Sequence, residues 1–224
     1  MSLVTLSKLL NIMNDWSIGM LSQDARNSLE VATSAYQVQL DEAARYLTGR
    51  GISKDAASTH RLGYVHEPMI GHEDMRGRLA IPYVTPTGVV DIRFRAITSE
   101  QSPKYLSRSG AEQHMYNVPG FAIDSDFIAI CEGEIDTMIT HSMCGIPAVG
   151  MPGVNGWKGW YARAFQDYRT VFVLTDGDQA GKDLGKKIMQ AIDVAVVVSM
   201  PDGMDVNDVF LNEGAEGVRK RIGV

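Results

Sequence analysis

The chain has 224 residues, 45% of them hydrophobic, and a formal net charge of −6. That length fits one large domain or two small ones with a sizeable core, and the composition excludes a disordered chain. The acidic balance excludes a protein coated in nucleic-acid-binding charge, no apolar run approaches the roughly 20 residues that span a bilayer, and two cysteines cannot build a disulfide framework or, alone, a structural zinc site.

Residues 1–20 carry neither a basic start nor a signal-type cleavage pattern, so no export is expected and a reducing cytosol is the natural compartment. The charge is unevenly spread. Residues 1–120 carry 12 basic and 12 acidic side chains, against 9 and 15 in residues 121–224. Between Arg76 and Arg108 six cations (Arg76, Arg78, Arg93, Arg95, Lys104, Arg108) face only Asp91 and Glu100. A locally basic half joined to an acidic half suits a polyphosphate or nucleic-acid substrate. A solvated basic face is the alternative.

In chain order, residues 1–40 form an N-terminal helical segment. Leu3, Leu6, Leu9, Leu10 and Met13 recur at a helical period over Ser2–Met13, and 22–40 is compatible with a second helix. Structural packing is its expected role, partner binding the alternative. Residues 41–120 follow as a smaller α+β region. A short helix runs from Leu40 to a stop at Gly49, and Ser53 caps the next. Arg61–Val65 reads as a strand. Residues 77–84, a turn at 85–88 and 89–97 read as a hairpin. In its second strand Val90, Ile92, Phe94 and Ala96 alternate with Asp91, Arg93 and Arg95, so both arginines fall on the face opposite the apolar set. Pro103–Ser107 is a further short strand.

A composition shift near Asn117–Asp126 marks a boundary, and residues 121–224 then alternate regularly. Strands at 127–131, near 147–150, at 170–175 and at 194–200 are separated by helices at 134–144, near 157–168 and at 179–192, with a last helix from about 206. Such alternation gives an α/β fold with a parallel sheet and flanking helices.

Three of these strands end in acid. Phe127–Cys131 runs into Glu132-Gly-Glu-Ile-Asp136, Val171–Leu174 into Asp176-Gly-Asp178, and Val194–Met200 into Pro201-Asp-Gly-Met-Asp205-Val-Asn-Asp208. Ligands of open α/β sheets bind beyond the carboxyl ends of strands. Five or six carboxylates gathered there call for compensation by a hard cation with oxygen ligands. Two metal ions at such a site activate an attacking oxygen and stabilise a leaving one, which is what phosphoryl transfer needs. Glu132 stands where a general base or metal ligand would, and Asp136 lies one helical turn on.

These motifs resemble those of the Toprim domain, shared by DnaG-type primases, type IA and II topoisomerases and some nucleases. The forms Asp176-Gly-Asp178-Gln-Ala-Gly181 and Pro201-Asp-Gly-Met-Asp205 point to primases. Upstream, Tyr46-Leu-Thr-Gly-Arg50-Gly-Ile-Ser53, Arg61-Leu-Gly-Tyr64, Arg78-Leu-Ala-Ile-Pro82, Gly88…Arg95 and Pro103-Lys104-Tyr-Leu-Ser107 resemble the basic subdomain of the DnaG-type RNA polymerase domain. The resemblance spans roughly residues 41–215.

It implies synthesis of short RNA primers from ribonucleoside triphosphates on single-stranded DNA. It also implies Glu132, Asp176 and Asp178 as catalytic carboxylates, with Glu132, Asp176, Asp178 and Asp205 holding Mg²⁺ or Mn²⁺ and no zinc. Arg78, Arg93, Arg95 and Lys104 match the basic positions that handle template or nucleotide. A replicative helicase is an expected partner. Two departures stand out. Gly110-Ala-Glu-Gln113 replaces a family lysine, and Asn207-Asp208 replaces a second aspartate motif, as in phage primase–helicases. With two cysteines the family's zinc-binding domain is not expected here, and neither is the usual helicase-binding domain. A phage-type protein in the host cytoplasm is therefore expected, either served by a separate zinc-binding protein or initiating with little sequence preference. The alternatives are a non-catalytic module binding single-stranded DNA or helicase, and a Toprim nuclease.

Other residues read as structural. Cys131 and His141 are a poor nucleophile pair, since free cysteine is usually a small buried hydrophobe. The five histidines lack metal-ligand spacing. Trp157, Trp160 and Tyr161 fit one amphipathic helix, with core packing expected and base stacking the alternative. Lys182, Lys186 and Lys187 either touch phosphates or form a solvated helix face.

Overall fold

Ser22 opens the first helix by accepting the Ala25 N–H on its hydroxyl at 3.2 Å. A computed structural model describes residues 21–152 and 156–224, so the helix read at Ser2–Met13 lies outside the described residues. The chain divides into two compact units, the second running from His114 to Val224.

In the first unit helix α1 (Gln23–Val38) buries Leu29, Ala32 and Tyr36, a stripe at helical spacing. This stripe packs with Val65, Met75, Ala80, Val89, Ile92 and Phe94 into one core. The sheet beneath is antiparallel in the order β1 (Gly63–Tyr64), β2 (Leu79–Thr85), β3 (Gly88–Arg95), β4 (Tyr105–Leu106). Short helices α2 (Ala44–Gly49) and α3 (Lys54–Thr59) complete it, and the Ser53 hydroxyl caps α3 at 3.1 Å from Ala56 N. The hairpin departs from the predicted alternation. Its register slips between Tyr83 and Val84, so Val84 pairs with Val89 while Tyr83 pairs with Asp91. A bulge of this kind shifts the side-chain parity, and Val89 joins Ile92 and Phe94 in the core.

The second unit is a parallel sheet in the order β6 (Ala148–Gly150), β5 (Phe127–Cys131), β7 (Thr170–Thr175), β8 (Ala195–Ser199). Its inner strands are covered on both faces, which is why they read as unbroken apolar runs. Ile128, Ile130, Val171 and Val173 pack with Phe121, Phe165, Leu184 and Ile188. Helix α4 (Glu134–Met138) gives way to a π turn over Ile139–Met143. The helix predicted near 157–168 is instead a 3₁₀ segment, Gly159–Phe165. Helix α5 (Gln179–Met189) crosses from β7 to β8, and α6 (Val206–Ile222) follows, interrupted at Gly214. Among the described residues no helix is long and apolar enough to cross a membrane.

Candidate active site

Register sets the site. Cys131 pairs with Leu174, and Leu174 with Val198, so three strands end at one level of the sheet. The chain turns there into Glu132, Asp176 and the 201–205 loop.

Glu132 is fixed from the neighbouring strand end, where its Oε1 accepts the Asp176 N–H at 2.8 Å. Burial pushes its carboxyl above the ordinary glutamate range, and the charges of Asp178 and Asp136 push it further. Gly181 permits this packing, because a Cβ there would lie 2.5 Å from the Asp176 carbonyl and 2.6 Å from Glu132 Oε1. Gly177 is needed for a second close approach, as a Cβ on it would overlap the Pro201 carbonyl. Its amide donates to Met204 O at 2.9 Å and its carbonyl accepts from Gly203 N at 3.1 Å, which ties the Asp176–Asp178 turn to the 201–205 loop.

The other predicted carboxylates hold helix starts. Asp178 caps α5, accepting Gly181 N–H at 2.8 Å. Asp205 caps α6 and forms a reciprocal box with Asp208, at 2.7 Å and 3.2 Å. Asp136 accepts Asn207 N–H at 3.0 Å. Asp208's bond to the Asp205 amide was not foreseen, though the Asp-x-x-Asp spacing signals a capping box.

The donor set is carboxylate oxygen throughout, and the Glu132 carboxyl is raised first by burial and then by the like charges of Asp178 and Asp136, which a hard cation would relieve. Toprim domains generally bind Mg²⁺. Among the described residues no three His, Cys, Asp or Glu side chains draw together closely enough to enclose an ion.

The basic residues lie in the first unit. Arg78 and Arg95 are buried. Arg78 Nη1 donates to Pro103 O at 2.8 Å. Arg95 donates to the hydroxyls of Tyr46 and Tyr105. Arg93 is half-buried, its guanidinium 4.2 Å from the Tyr105 ring centre. Lys104 is exposed. Arg76 and Arg108 pair with Glu67 and Asp91 at 3.1 and 3.6 Å, so much of the local positive charge is committed within the unit.

Cys131 is fully buried beside Thr140 Oγ1 at 3.3 Å, and burial drives its thiol strongly upward, as an inert core cysteine requires. Trp157 and Tyr161 join the core as expected, whereas Trp160 is exposed. Lys182, Lys186 and Lys187 are exposed on α5.

A parallel sheet whose strand ends present Glu132, Asp176 and Asp178 defines a Toprim domain, and the Toprim family model matches residues 127–216. The gene 57 protein of Mycobacterium phage D29 is 38% identical over 152 residues, covering 66% of this chain and 99% of that protein. The DNA primase DnaG of Methanocella arvoryzae is 29% identical over 102 residues, 46% of this chain and 21% of that much longer protein. A solved DnaG primase catalytic domain bound to single-stranded DNA superposes with a TM-score of 0.71 at 18% identity, covering 99% of this chain and 82% of that one. The chain belongs to one family with that phage protein, and its fold is that of the DnaG-type primase catalytic cores, a Toprim domain preceded by the small antiparallel unit.

Proposed function

We propose that the chain synthesises short RNA primers from ribonucleoside triphosphates on single-stranded DNA. The observation that carries this reading is Glu132 at the end of β5, pinned by the Asp176 amide at the end of β7, its carboxyl raised by burial and then by Asp178 and Asp136, in a chain with the primase core fold. The 3′-hydroxyl of one ribonucleotide attacks the α-phosphorus of the next. A bond forms between that oxygen and phosphorus, the bond to pyrophosphate breaks, and the hydroxyl proton passes to a carboxylate or water.

Glu132 is the essential carboxylate, while Asp176 and Asp178 complete the acidic edge. Mg²⁺ or Mn²⁺ bound by Glu132, Asp176, Asp178 and Asp205 would supply charge neutralisation at the phosphates. Lys104 and Arg93 contact template or nucleotide phosphates. Arg78 and Arg95 position them, because Pro103 O and the Tyr105 hydroxyl take their hydrogen bonds on either side of Lys104, and the Lys104 carbonyl accepts Ala96 N–H at 2.8 Å. A replicative helicase, and a separate zinc-binding protein for start-site choice, are the partners this reading implies.

The test is incorporation of labelled ribonucleotides on single-stranded DNA with Mg²⁺ or Mn²⁺, wild type beside Asp176→Ala. Short products that vanish in the variant support the proposal; no product from wild type, alone or with replication extract added, overturns it. The absence of three closely gathered carboxylates among the described residues favours one second reading, a non-catalytic DNA- or helicase-binding module. Equal DNA affinity with and without Mg²⁺, together with no incorporation, would select it.

A further inference from the structure

The second unit closes one edge of its parallel sheet and leaves the other open. Beside β6, Tyr116 exchanges backbone hydrogen bonds with Gly150 at 2.9 and 3.0 Å, and Asn117 Nδ2 donates to Ala148 O at 2.8 Å. Beside β8, at the opposite edge, no strand pairs among the described residues.

The ladder fixes which groups of β8 face that edge. Val194 O accepts Val171 N–H at 3.0 Å, and Met200 N–H donates to Thr175 O at 2.9 Å. Even-numbered residues therefore turn their backbone groups to β7, while Val197 and Ser199 turn theirs outward. Side chains alternate as well. Val197 lies against α5, where a Cβ on Gly185 would stand 3.0 Å from its Cγ1. Val196, on the other face, is 47% exposed and pairs in register with half-buried Phe172. Phe127 extends this apolar patch, its ring centre 5.8 Å from that of Phe172.

Natural sheets blunt an open edge with lysine, proline, a bulge or an inward charge. Ala195–Ser199 has none of these, and it pairs with β7 residue for residue. Charge stands instead just beyond both ends of the strand, on the exposed residues Asp193 and Asp202. A second copy paired antiparallel about Val197 would set Asp193 of one copy beside Asp202 of the other, acid against acid. The occupant that fits carries the opposite charge at its flanks.

We propose that β8 is a docking edge for an extended segment of another protein, apolar and β-branched at its centre and basic at both flanks, which joins the sheet as a fifth strand. Main-chain bonds to Val197 and Ser199 hold it, Val196 and Phe172 receive its apolar side chains, and Asp193 and Asp202 select its flanks. The docking edge stands whether or not the chain makes primers.

The test uses the full chain and a fluorescently labelled synthetic peptide, Lys-Lys-Thr-Val-Thr-Val-Thr-Lys-Lys, read by anisotropy. The peptide binds, and its counterpart with aspartate for every lysine binds at least about tenfold more weakly. Val196→Lys weakens binding about 10- to 100-fold. Val197→Pro removes an outward N–H but no bond to β7, and weakens binding about 5- to 150-fold. Asp193→Asn lowers affinity by up to about fivefold and flattens its salt dependence. In amide hydrogen exchange followed by NMR, Val196 and Val198 are protected in the free chain while Val197 and Ser199 exchange fast, and bound peptide slows the latter pair. Thermal melting checks each variant, and exchange in the wild type carries the test should Val197→Pro not fold.

No binding by wild type up to about 1 mM peptide, equal binding of the aspartate peptide, or unchanged exchange at Val197 and Ser199 overturns the docking edge. Dimerisation in sedimentation that Val196→Lys abolishes, with no peptide bound, overturns it in favour of a second copy.

Discussion

The Asp136 carboxylate accepts the backbone N–H of Asn207 at 3.0 Å, across 71 residues of sequence. The bond joins α4 to the first turn of α6. Asp205 satisfies the next amide, that of Asp208, so two carboxylates from separate parts of the chain supply the donors that an isolated helix start leaves open. Asn207 is fully buried, and water cannot replace the lost acceptor. Asp136→Ala is expected to cost about 1–3 kcal/mol, the penalty for a buried donor left unmade. Asp136→Asn keeps an oxygen at that place and costs less. Urea unfolding of the three proteins checks this, and equal midpoints for wild type and Asp136→Ala would refute it.

Glu132→Gln separates chemistry from scaffold. The glutamine carbonyl can still accept the Asp176 amide that Glu132 Oε1 holds at 2.8 Å, while the titratable carboxyl, its pKa raised by burial and then by Asp178 and Asp136, is removed. Primer synthesis is expected to fall about 100-fold or more, within the range for loss of a general base. In metal-free buffer the melting temperature stays at or above wild type, because a like charge has been removed. A variant that melts early, or one that retains full synthesis, contradicts this role.

The apolar strand runs of the parallel sheet were the most legible part of the chain, the inner ones covered on both faces and β8 at the edge with Val196 exposed. The run predicted at 127–131 is β5, that at 170–175 is β7, and 194–200 contains β8. Their acidic ends were legible too, because strand ends and ligand sites coincide in this architecture. Less legible were relations that depend on distant partners. Arg78 and Arg95 read as cations that handle template or nucleotide, yet both are buried, and Pro103 O, Tyr105 and Tyr46, which lie 25, 10 and 49 residues away, take their hydrogen bonds. The bulge at Val84–Val89 leaves no mark in a strictly alternating pattern. Nor does a 3.6-residue period reveal that 159–165 winds as a 3₁₀ segment.

Two glycines beside the acidic edge are irreplaceable for reasons of space. An added Cβ at Gly181 would sit 2.6 Å from Glu132 Oε1, and one at Gly177 would overlap the Pro201 carbonyl. Either change to alanine should destabilise by about 1–3 kcal/mol, as overpacking does. Gly181→Ala should also reduce activity beyond its effect on folding, by displacing Glu132. Gly49 offers the contrast, since nothing lies within 4 Å of a Cβ built there at the end of α2. Gly49→Ala should be neutral, or stabilising by less than about 1 kcal/mol. Thermal unfolding of the three variants tests the ordering, and a Gly177→Ala melt equal to that of Gly49→Ala would contradict it.

The last prediction concerns pH and the first unit. Tyr36 and His72 are both buried, with the phenol oxygen 2.8 Å from His72 Nδ1 and the Met69 N–H donating to that oxygen at 3.0 Å. The His72 ring also lies edge-on to Phe94, with centres 4.9 Å apart. Burial lowers the His72 pKa from its usual 6.5, and the positive charge of Arg108 lowers it further. The folded state therefore holds a neutral imidazole. Its stability is fully present above pH 6.5 and is lost as pH falls below that value toward the depressed one, because only the unfolded chain takes up the proton there. His72→Phe should flatten this part of the profile while keeping an aromatic ring against Phe94. Tyr36→Phe should cost about 1–3 kcal/mol at every pH by leaving the Met69 amide unpaired. Unfolding midpoints measured from pH 8 to 5 decide the matter, and identical slopes for wild type and His72→Phe would remove His72 as their cause.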